Sequence, residues 1–243
     1  MAGLPAACIL TLDRPVAADR YELIRSRSSA FEFHRRQVAE PVRSEIWSHE
    51  ITGRALVLGS TQDQGAVDLD ACHSAGIEIV RRRSGGGAVL LVPGDVVWVD
   101  IILPAGATGW SDDIHGPMVW LGQRLAEVLT ELLGASGAEP DVQVHEGKAV
   151  TTRWSRLLCF DGIGSGEVLL DGRKLIGISQ RRTRTSARLQ CCWYSGYNPD
   201  LLVSLFVPEH RPPVRELHPV ATLARSVASA IPESLLRQLN QQR

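Results

Sequence analysis

The sequence lacks most of the features that assign a chain quickly, and each absence removes a class. It has no excess of one charge: 26 Lys and Arg face 27 Asp and Glu, a formal net charge of -1. General affinity for nucleic acid or an anionic membrane is therefore disfavoured, and the clusters Arg81 to Arg83 and Arg181, Arg182 and Arg184 are local features. It has no long apolar run, because the longest is broken by Pro93, Gly94, Asp95 and Asp100, so no span of a bilayer is expected. The Leu4 to Leu12 stretch has no leading basic region and no clear small-residue cleavage pattern, which predicts a cytoplasmic protein. Cysteine is sparse and unframed. Cys8, Cys72, Cys159, Cys191 and Cys192 are an odd count without disulfide spacing, as in a reducing compartment, and the neighbours Cys191 and Cys192 point to opposite faces of a strand-like run. The seven histidines make no zinc-ligand spacing with each other or with cysteine, so no metal is expected. No repeat or low-complexity tract appears. What is left is ordinary: 243 residues, 44% hydrophobic and 22% charged, enough for one domain spanning 1-243 with a full core.

Against that plain background one stretch stands out. Arg81-Arg82-Arg83-Ser84-Gly85-Gly86-Gly87-Ala88-Val89 places three glycines behind a basic cluster and ahead of an apolar run. Glycine gives up packing and adds unfolded-state entropy, so the backbone there must turn sharply or lie against a ligand. Exposed amides with guanidinium forks nearby suit a phosphate or a carboxylate. Ala88 to Val92 and Val96 to Leu103 read as strands around a Pro93-Gly94-Asp95 turn, which puts the glycines at the mouth of a hairpin. A nucleotide-hydrolase phosphate loop would need a lysine and a hydroxyl after its last glycine, and a dinucleotide fingerprint would open a helix; neither is present.

The stretch resembles the Arg-Arg-x-Ser-Gly-Gly-Gly-Ala-Val signature of lipoate-protein ligases, within the biotin and lipoate ligase and octanoyltransferase superfamily. Gly172-Arg173-Lys174-Leu175-Ile176-Gly177-Ile178-Ser179-Gln180 resembles the family's Gly-x-Lys-x-x-Gly-x-x-Gln segment, and Lys174 falls on its catalytic or substrate-contacting lysine. The likeness is strongest over 45-206, including Ala55 to Gln62, and leaves 207-243 as a C-terminal extension too short for the accessory domain of many ATP-using ligases. The chain departs from the pattern after Val89, where relatives carry an aromatic, a histidine and an acidic residue and this chain has Leu90, Leu91 and Val92.

The scaffold follows from periodicity and punctuation. Helices are predicted over Ala17 to Phe33, Ala66 to Ala75 closed by Gly76, from after Asp112-Asp113 through Leu133, and over Leu201 to Phe206 and Glu233 to Asn240. Strands are predicted over Ser44 to Trp47, Ala55 to Leu58, Ile77 to Val80, Val142 to Val144, Glu167 to Leu170, Lys174 to Ser179 and Arg188 to Tyr194, with Asp171-Gly172 as a tight hairpin turn. Strands mixed with segregated helices give an α+β class. The resemblance implies a mixed, mostly antiparallel sheet with flanking helices, like a biotin or lipoate ligase catalytic domain.

The same resemblance implies attachment of a lipoyl or octanoyl group to a lysine of a lipoyl-carrier domain, of the glycine cleavage H protein or 2-oxoacid dehydrogenase E2 type. A carboxylate oxygen is a poor leaving group, so the acid must be activated as an acyl-adenylate from ATP, with Mg2+, or arrive as a thioester with no such cofactor. Either route needs fixed positive charge where charge grows. Lys174 is expected to supply it in a strand that its loss leaves intact. Arg82 and the amides of Gly86, Gly87 and Ala88 would steady the anionic group, with Ser84, Gly85, Val89, Leu90 and Gly177 completing the site and Val89, Leu91, Val97 and Val99 offering an acyl-chain tunnel. Cys159, in Leu158-Cys159-Phe160, resembles the placement of the nucleophilic cysteine of octanoyltransferases. The ATP-dependent ligase is the first expectation, the Cys159 transferase the second, and a non-catalytic acyl- or carrier-binding homologue the third.

Overall fold

Alternation in the sequence, more than its helical composition, decides the start of the fold. The computed structural model describes residues 20–135, 137 and 139–241, and its first element is a strand, β1 (Glu22–Ser28), followed by the short helix α1 (Ala30–Arg35). The predicted helix over Ala17 to Phe33 is thereby corrected; its first three positions, Ala17 to Asp19, lie outside the described residues. The cause is visible in Arg25-Ser26-Arg27-Ser28, whose alternating exposure suits an edge strand lying parallel to β2 (Glu45–Ile51). Ser29 then starts α1 through a capping box with Glu32.

The other elements are β3 (Ala55–Leu58), α2 (Leu69–Ser74), β4 (Glu78–Arg81), β5 (Val89–Leu91), β6 (Val96–Pro104), α3 (Gly116–Gly134), β7 (Val142–Val144), β8 (Val168–Leu170), β9 (Arg173–Arg182), β10 (Ser186–Tyr194), α4 (Pro199–Ser204) and α5 (Arg225–Gln241). Seven strands form one sheet in the order β1-β2-β6-β10-β9-β8-β7, antiparallel except for β1 with β2. A second sheet runs β4-β3-β5. The mostly antiparallel α+β class read from the sequence is the class observed. The Asp171-Gly172 turn also forms, both residues at positive φ (50° and 71°), as a tight hairpin between β8 and β9 requires.

One expected hairpin does not form. β5 and β6 flank the Pro93-Gly94-Asp95 turn but belong to different sheets, so the turn carries the chain across a corner between layers. Strands buried on both faces show no alternation that could reveal which neighbour they pair with.

Four layers result. Leu121, Leu125, Val128 and Leu129 of α3 and Ile231 and Leu235 of α5 cover one face of the large sheet. Trp98 and Tyr194 on its other face pack against Val57, Val89 and Leu91 of the small sheet. Leu56, Leu58 and Leu90 then face Cys72 of α2 and Leu202 of α4.

The space between the sheets also holds a polar network. Asp100, fully buried, accepts from Arg188 Nε (2.9 Å) and Trp98 Nε1 (2.9 Å), and contacts His49 Nε2 at 3.2 Å. Burial alone would raise its carboxyl pKa, but Arg188 and His49 outweigh that and hold it well below the usual range. Gln190 Nε2 reaches Asp100 Oδ1 (3.3 Å), while its Oε1 accepts from Ser84 Oγ at 2.9 Å.

His34 lies in the same interior. Burial, with Arg188, Arg82 and His49 outweighing Asp100, lowers its pKa to about 3, so it folds neutral. A histidine of ordinary pKa in the unfolded chain binds a proton below about 6.5, which the folded chain refuses until about 3. Its contribution to stability is therefore fully present above pH 6.5 and is lost as pH falls toward 3, with a slope of up to about 1.4 kcal/mol per pH unit. The His34→Gln variant is expected to flatten unfolding free energy against pH between about 6.5 and about 4, measured by urea titration. A slope parallel to wild type would place the acid sensitivity elsewhere.

Candidate active site

The glycine loop is built by its own arginines. Arg82, only 2% exposed, turns its guanidinium back on the loop and donates to the carbonyls of Val57 (3.2 Å), Gly85 (2.7 Å) and Gly87 (2.9 Å). Arg81 Nη1 likewise donates to Gly59 O (2.9 Å) and Gln62 O (2.7 Å). Arg82, expected to steady a bound anion, here has its charge-assisted fork on three carbonyls, which fixes the turn.

That turn needs glycine at two positions for different reasons. Gly86 has φ 101°, left-handed backbone that side chains rarely adopt, and its missing Cβ would sit 3.6 Å from Cys159 Sγ. At Gly87 a Cβ would fall 2.7 Å from Cys159 N, so only a bare backbone can approach that closely. The approach is locked by a short parallel bridge in which Ala88 N donates to Leu157 O (2.7 Å) and Cys159 N donates to Ala88 O (3.0 Å). The Ala88 amide is thus committed and unavailable to a ligand, contrary to expectation.

Lys174 reaches the same place from the other side. Its ammonium, 4% exposed, pairs with Glu167 Oε2 at 2.6 Å and donates to Cys159 O (2.8 Å) and Gly162 O (3.0 Å). Burial would lower its pKa, but the Glu167 carboxylate more than reverses this, and the net shift is upward. Lys174 is consequently a fixed cation at neutral pH, with no capacity to act as a base.

Glu167 was missed by sequence reasoning. It is 3% exposed and also accepts from the amides of Gly164 (2.6 Å) and Ile178 (3.1 Å). The loop that delivers it is pressed onto α3, since a Cβ on Gly122 would lie 2.0 Å from Gly166 O. A signal did exist: Lys148 and Lys174 are the chain's two lysines, and a lysine inside an apolar strand needs a carboxylate to be buried.

These groups border one cleft of about 810 Å³, whose walls include Gly85, Gly86, Gly87, Cys159, Glu167 and Lys174. The glycine loop and Lys174, far apart in sequence, do share it. Its apolar part comes from Ala66, Val150, Leu157, Ile163 and Ile178. Of the other residues proposed from sequence, Ser84, Ala88, Val89, Leu90 and Gly177 stand behind the lining. Ser84 Oγ is held between Ser179 Oγ and Gln190 Oε1, both at 2.9 Å, Val89 and Leu90 pack in the cores on either side of the small sheet, and Gly177 accommodates the Phe160 ring. The tunnel assignment is corrected as well, because Val97 and Val99 face α3 and α5 on the opposite side of the large sheet from Val89 and Leu91. Leu91 is fully buried in the layer between the sheets.

Known proteins of similar sequence and shape place this geometry in a family. The profile of the lipoyl protein ligase A/B catalytic domain matches residues 31–239. The octanoyltransferase LipM of Clostridioides difficile (strain 630) is 30% identical over 117 residues, 48% of this chain and 40% of that protein. The octanoyltransferase LipM of Kyrpidia tusciae is 30% identical over 131 residues, 53% of this chain and 46% of that protein, so the matched region spans less than half the length of either relative. Among solved structures, a bi-partite lipoate protein ligase from Thermoplasma acidophilum, described with its E2 lipoyl domain, has a TM-score of 0.58 at 18% identity, covering 91% of this chain and 82% of that one. That likeness is one of fold.

Proposed function

The chain belongs to the lipoyl protein ligase A/B catalytic domain family, and on that premise we propose that it is a cysteine-dependent acyltransferase, moving an octanoyl or lipoyl group from a thioester donor to the lysine of a lipoyl-carrier domain. The observation that carries this reading is the position of Cys159, half-buried in the cleft wall with its backbone held by Ala88 and Lys174 and its sulfur against Gly86. The two octanoyltransferase relatives support it. The commitment of Arg82 to carbonyls supports it too, by removing the cation that adenylation would have used on phosphate.

The chemistry runs in two balanced transfers. The Cys159 sulfur attacks the donor's acyl carbon; a carbon–sulfur bond to the enzyme forms, the donor's carbon–sulfur bond breaks, and the thiol proton leaves with the departing donor thiol. The amine of the carrier lysine then attacks the enzyme thioester; a carbon–nitrogen bond forms, the sulfur is released, and one amine proton returns to it. In each step negative charge grows on the acyl oxygen. The Gly86 and Gly87 amides supply the donors, in a site whose dipoles are already oriented, while Lys174, its three donors spent on Glu167, Cys159 O and Gly162 O, holds the Cys159 segment in place and acts on the oxygen only through its field. The apolar wall of Ala66, Val150 and Ile163 receives the chain.

Incubation of the protein with an octanoyl thioester and a lipoyl domain, without ATP, is expected to yield an acyl-enzyme whose added mass maps to the peptide bearing Cys159, followed by acylation of the carrier lysine. Carrier acylation that requires ATP and passes through no enzyme adduct would overturn the reading in favour of the ligase.

A further inference from the structure

A second recess, of about 400 Å³, lies beside the catalytic cleft and is lined by Arg36, Arg83, Arg181, Arg184 and Arg188, with Glu40 as the one carboxylate among the described residues that line it. Three elements converge to make it. Arg83 is the variable residue of the glycine loop, Arg181 and Arg184 belong to the end of β9 and its turn, and Arg36 caps α1.

Their states differ in a telling way. Arg188 is spent at the back wall on Asp100 and on the carbonyls of Phe33 (2.8 Å) and Arg36 (2.6 Å). The Arg36 guanidinium lies over the Trp47 ring at 3.7 Å and lines the recess. Among the described residues, the side chains of Arg83, Arg181 and Arg184 have no hydrogen-bonded or ion-paired partner, and Glu40 is engaged by the Thr185 hydroxyl at 2.9 Å. Some exposed arginines elsewhere are ion-paired, as Arg25 is with Glu233, Arg153 with Glu216 and Arg225 with Asp95, and others, such as Arg54 and Arg156, stand singly; what sets this recess apart is that three unpaired guanidinium side chains line one concave site. Partial burial together with Arg83 and Arg188 lowers the pKa of Arg181, the mark of positive charges crowded without an anion between them.

We propose that this recess is a binding site for a phosphate group. Guanidinium forks converging from separate elements need several oxygens and more than one negative charge at a single point. A phosphate or pyrophosphate offers both, whereas a lone carboxylate satisfies one fork. A concave site also selects a compact group. The site stands apart from the Cys159 chemistry but adjoins it: Arg83 is two residues from Gly85, and Arg181 two from Ser179, and both Gly85 and Ser179 line the catalytic cleft. The phosphate can therefore arrive free or as part of the acyl donor.

Calorimetric titration with pyrophosphate at low salt tests the site. Wild-type protein is expected to bind it with an affinity that falls as salt rises, and the Arg83→Gln/Arg181→Gln protein to bind at least about tenfold more weakly with an unchanged thermal midpoint. The single variant Arg184→Gln gives an independent reading should the double variant fail to fold. Equal binding by wild type and variants, or none by wild type, would overturn the proposal. The source is read from Michaelis constants: a rise in the double variant for octanoyl-coenzyme A but not for octanoyl-pantetheine assigns the phosphate to the donor, and no rise for either, with pyrophosphate binding still lost, assigns it to a free anion. A transferase reading that failed on Cys159 would leave the pyrophosphate titration untouched, so the two failures are distinguishable.

Discussion

Cys159→Ala is expected to reduce acyl transfer by a factor on the order of 10³ to 10⁶, the range lost when an enzyme gives up its nucleophile. The fold should be barely affected. The side chain is only half-buried, and the contacts that hold this segment, Cys159 N to Ala88 O and Lys174 Nζ to Cys159 O, use backbone atoms that alanine retains. A thermal midpoint close to wild type, with no acyl adduct and no carrier modification, is the predicted pattern. Cys159→Ser serves as the closer replacement: it nearly keeps the size and puts a hydroxyl where the thiol was, but a hydroxyl is a weak nucleophile without an adjacent base, and Lys174, held as a cation, cannot provide one. Serine is therefore expected to be nearly as inactive as alanine. Transfer by the alanine protein at a rate within a few-fold of wild type would remove Cys159 from the mechanism.

Removal of Lys174 should cost both activity and stability. Read as a strand lysine beside a turn, it promises a variant that folds normally; the structure corrects this, because Lys174→Ala leaves the Glu167 carboxyl buried against two amides with its partner gone. Breaking one side of such a pair typically costs about 3–5 kcal/mol, or roughly 6–20 °C in midpoint for a chain of this size. Removing both charges is a different experiment. Lys174→Met with Glu167→Gln takes away the uncompensated carboxylate, and is expected to recover most of the lost midpoint while activity stays absent. That split separates the structural share of the pair from its electrostatic share in catalysis. A double variant that regained transfer would show that the cation has no part in the chemistry, and a single variant as stable as wild type would show that Glu167 finds another partner.

The sequence made the site legible where a residue type has few reasons to be present. Three adjacent glycines between a basic cluster and a strand are such a case, and so is a lysine between Arg173 and an apolar run. Both reach the cleft. It was misleading where one residue type has two uses. Arg82 next to a glycine loop reads as an anion ligand, yet guanidinium donors serve backbone carbonyls equally well, and only the folded loop shows which acceptors are within reach. Val97 and Val99 read as tunnel lining, but their side depends on which face of the sheet α3 and α5 cover.

What the sequence determined by itself is local: the Asp171-Gly172 hairpin, the helix closed at Gly76, the antiparallel run of β8, β9 and β10, and the presence of a glycine turn that must meet something closely. These rest on φ preferences and side-chain alternation, which act over a few residues. The tertiary structure alone decided that β5 and β6 part company into two sheets, that Glu167 meets Lys174, and that Gly87 lies against Cys159. Each of these joins segments whose order along the chain carries no distance information, and each is fixed by burial: a charged pair and a bare backbone contact persist only where the packed layers leave no water to replace them.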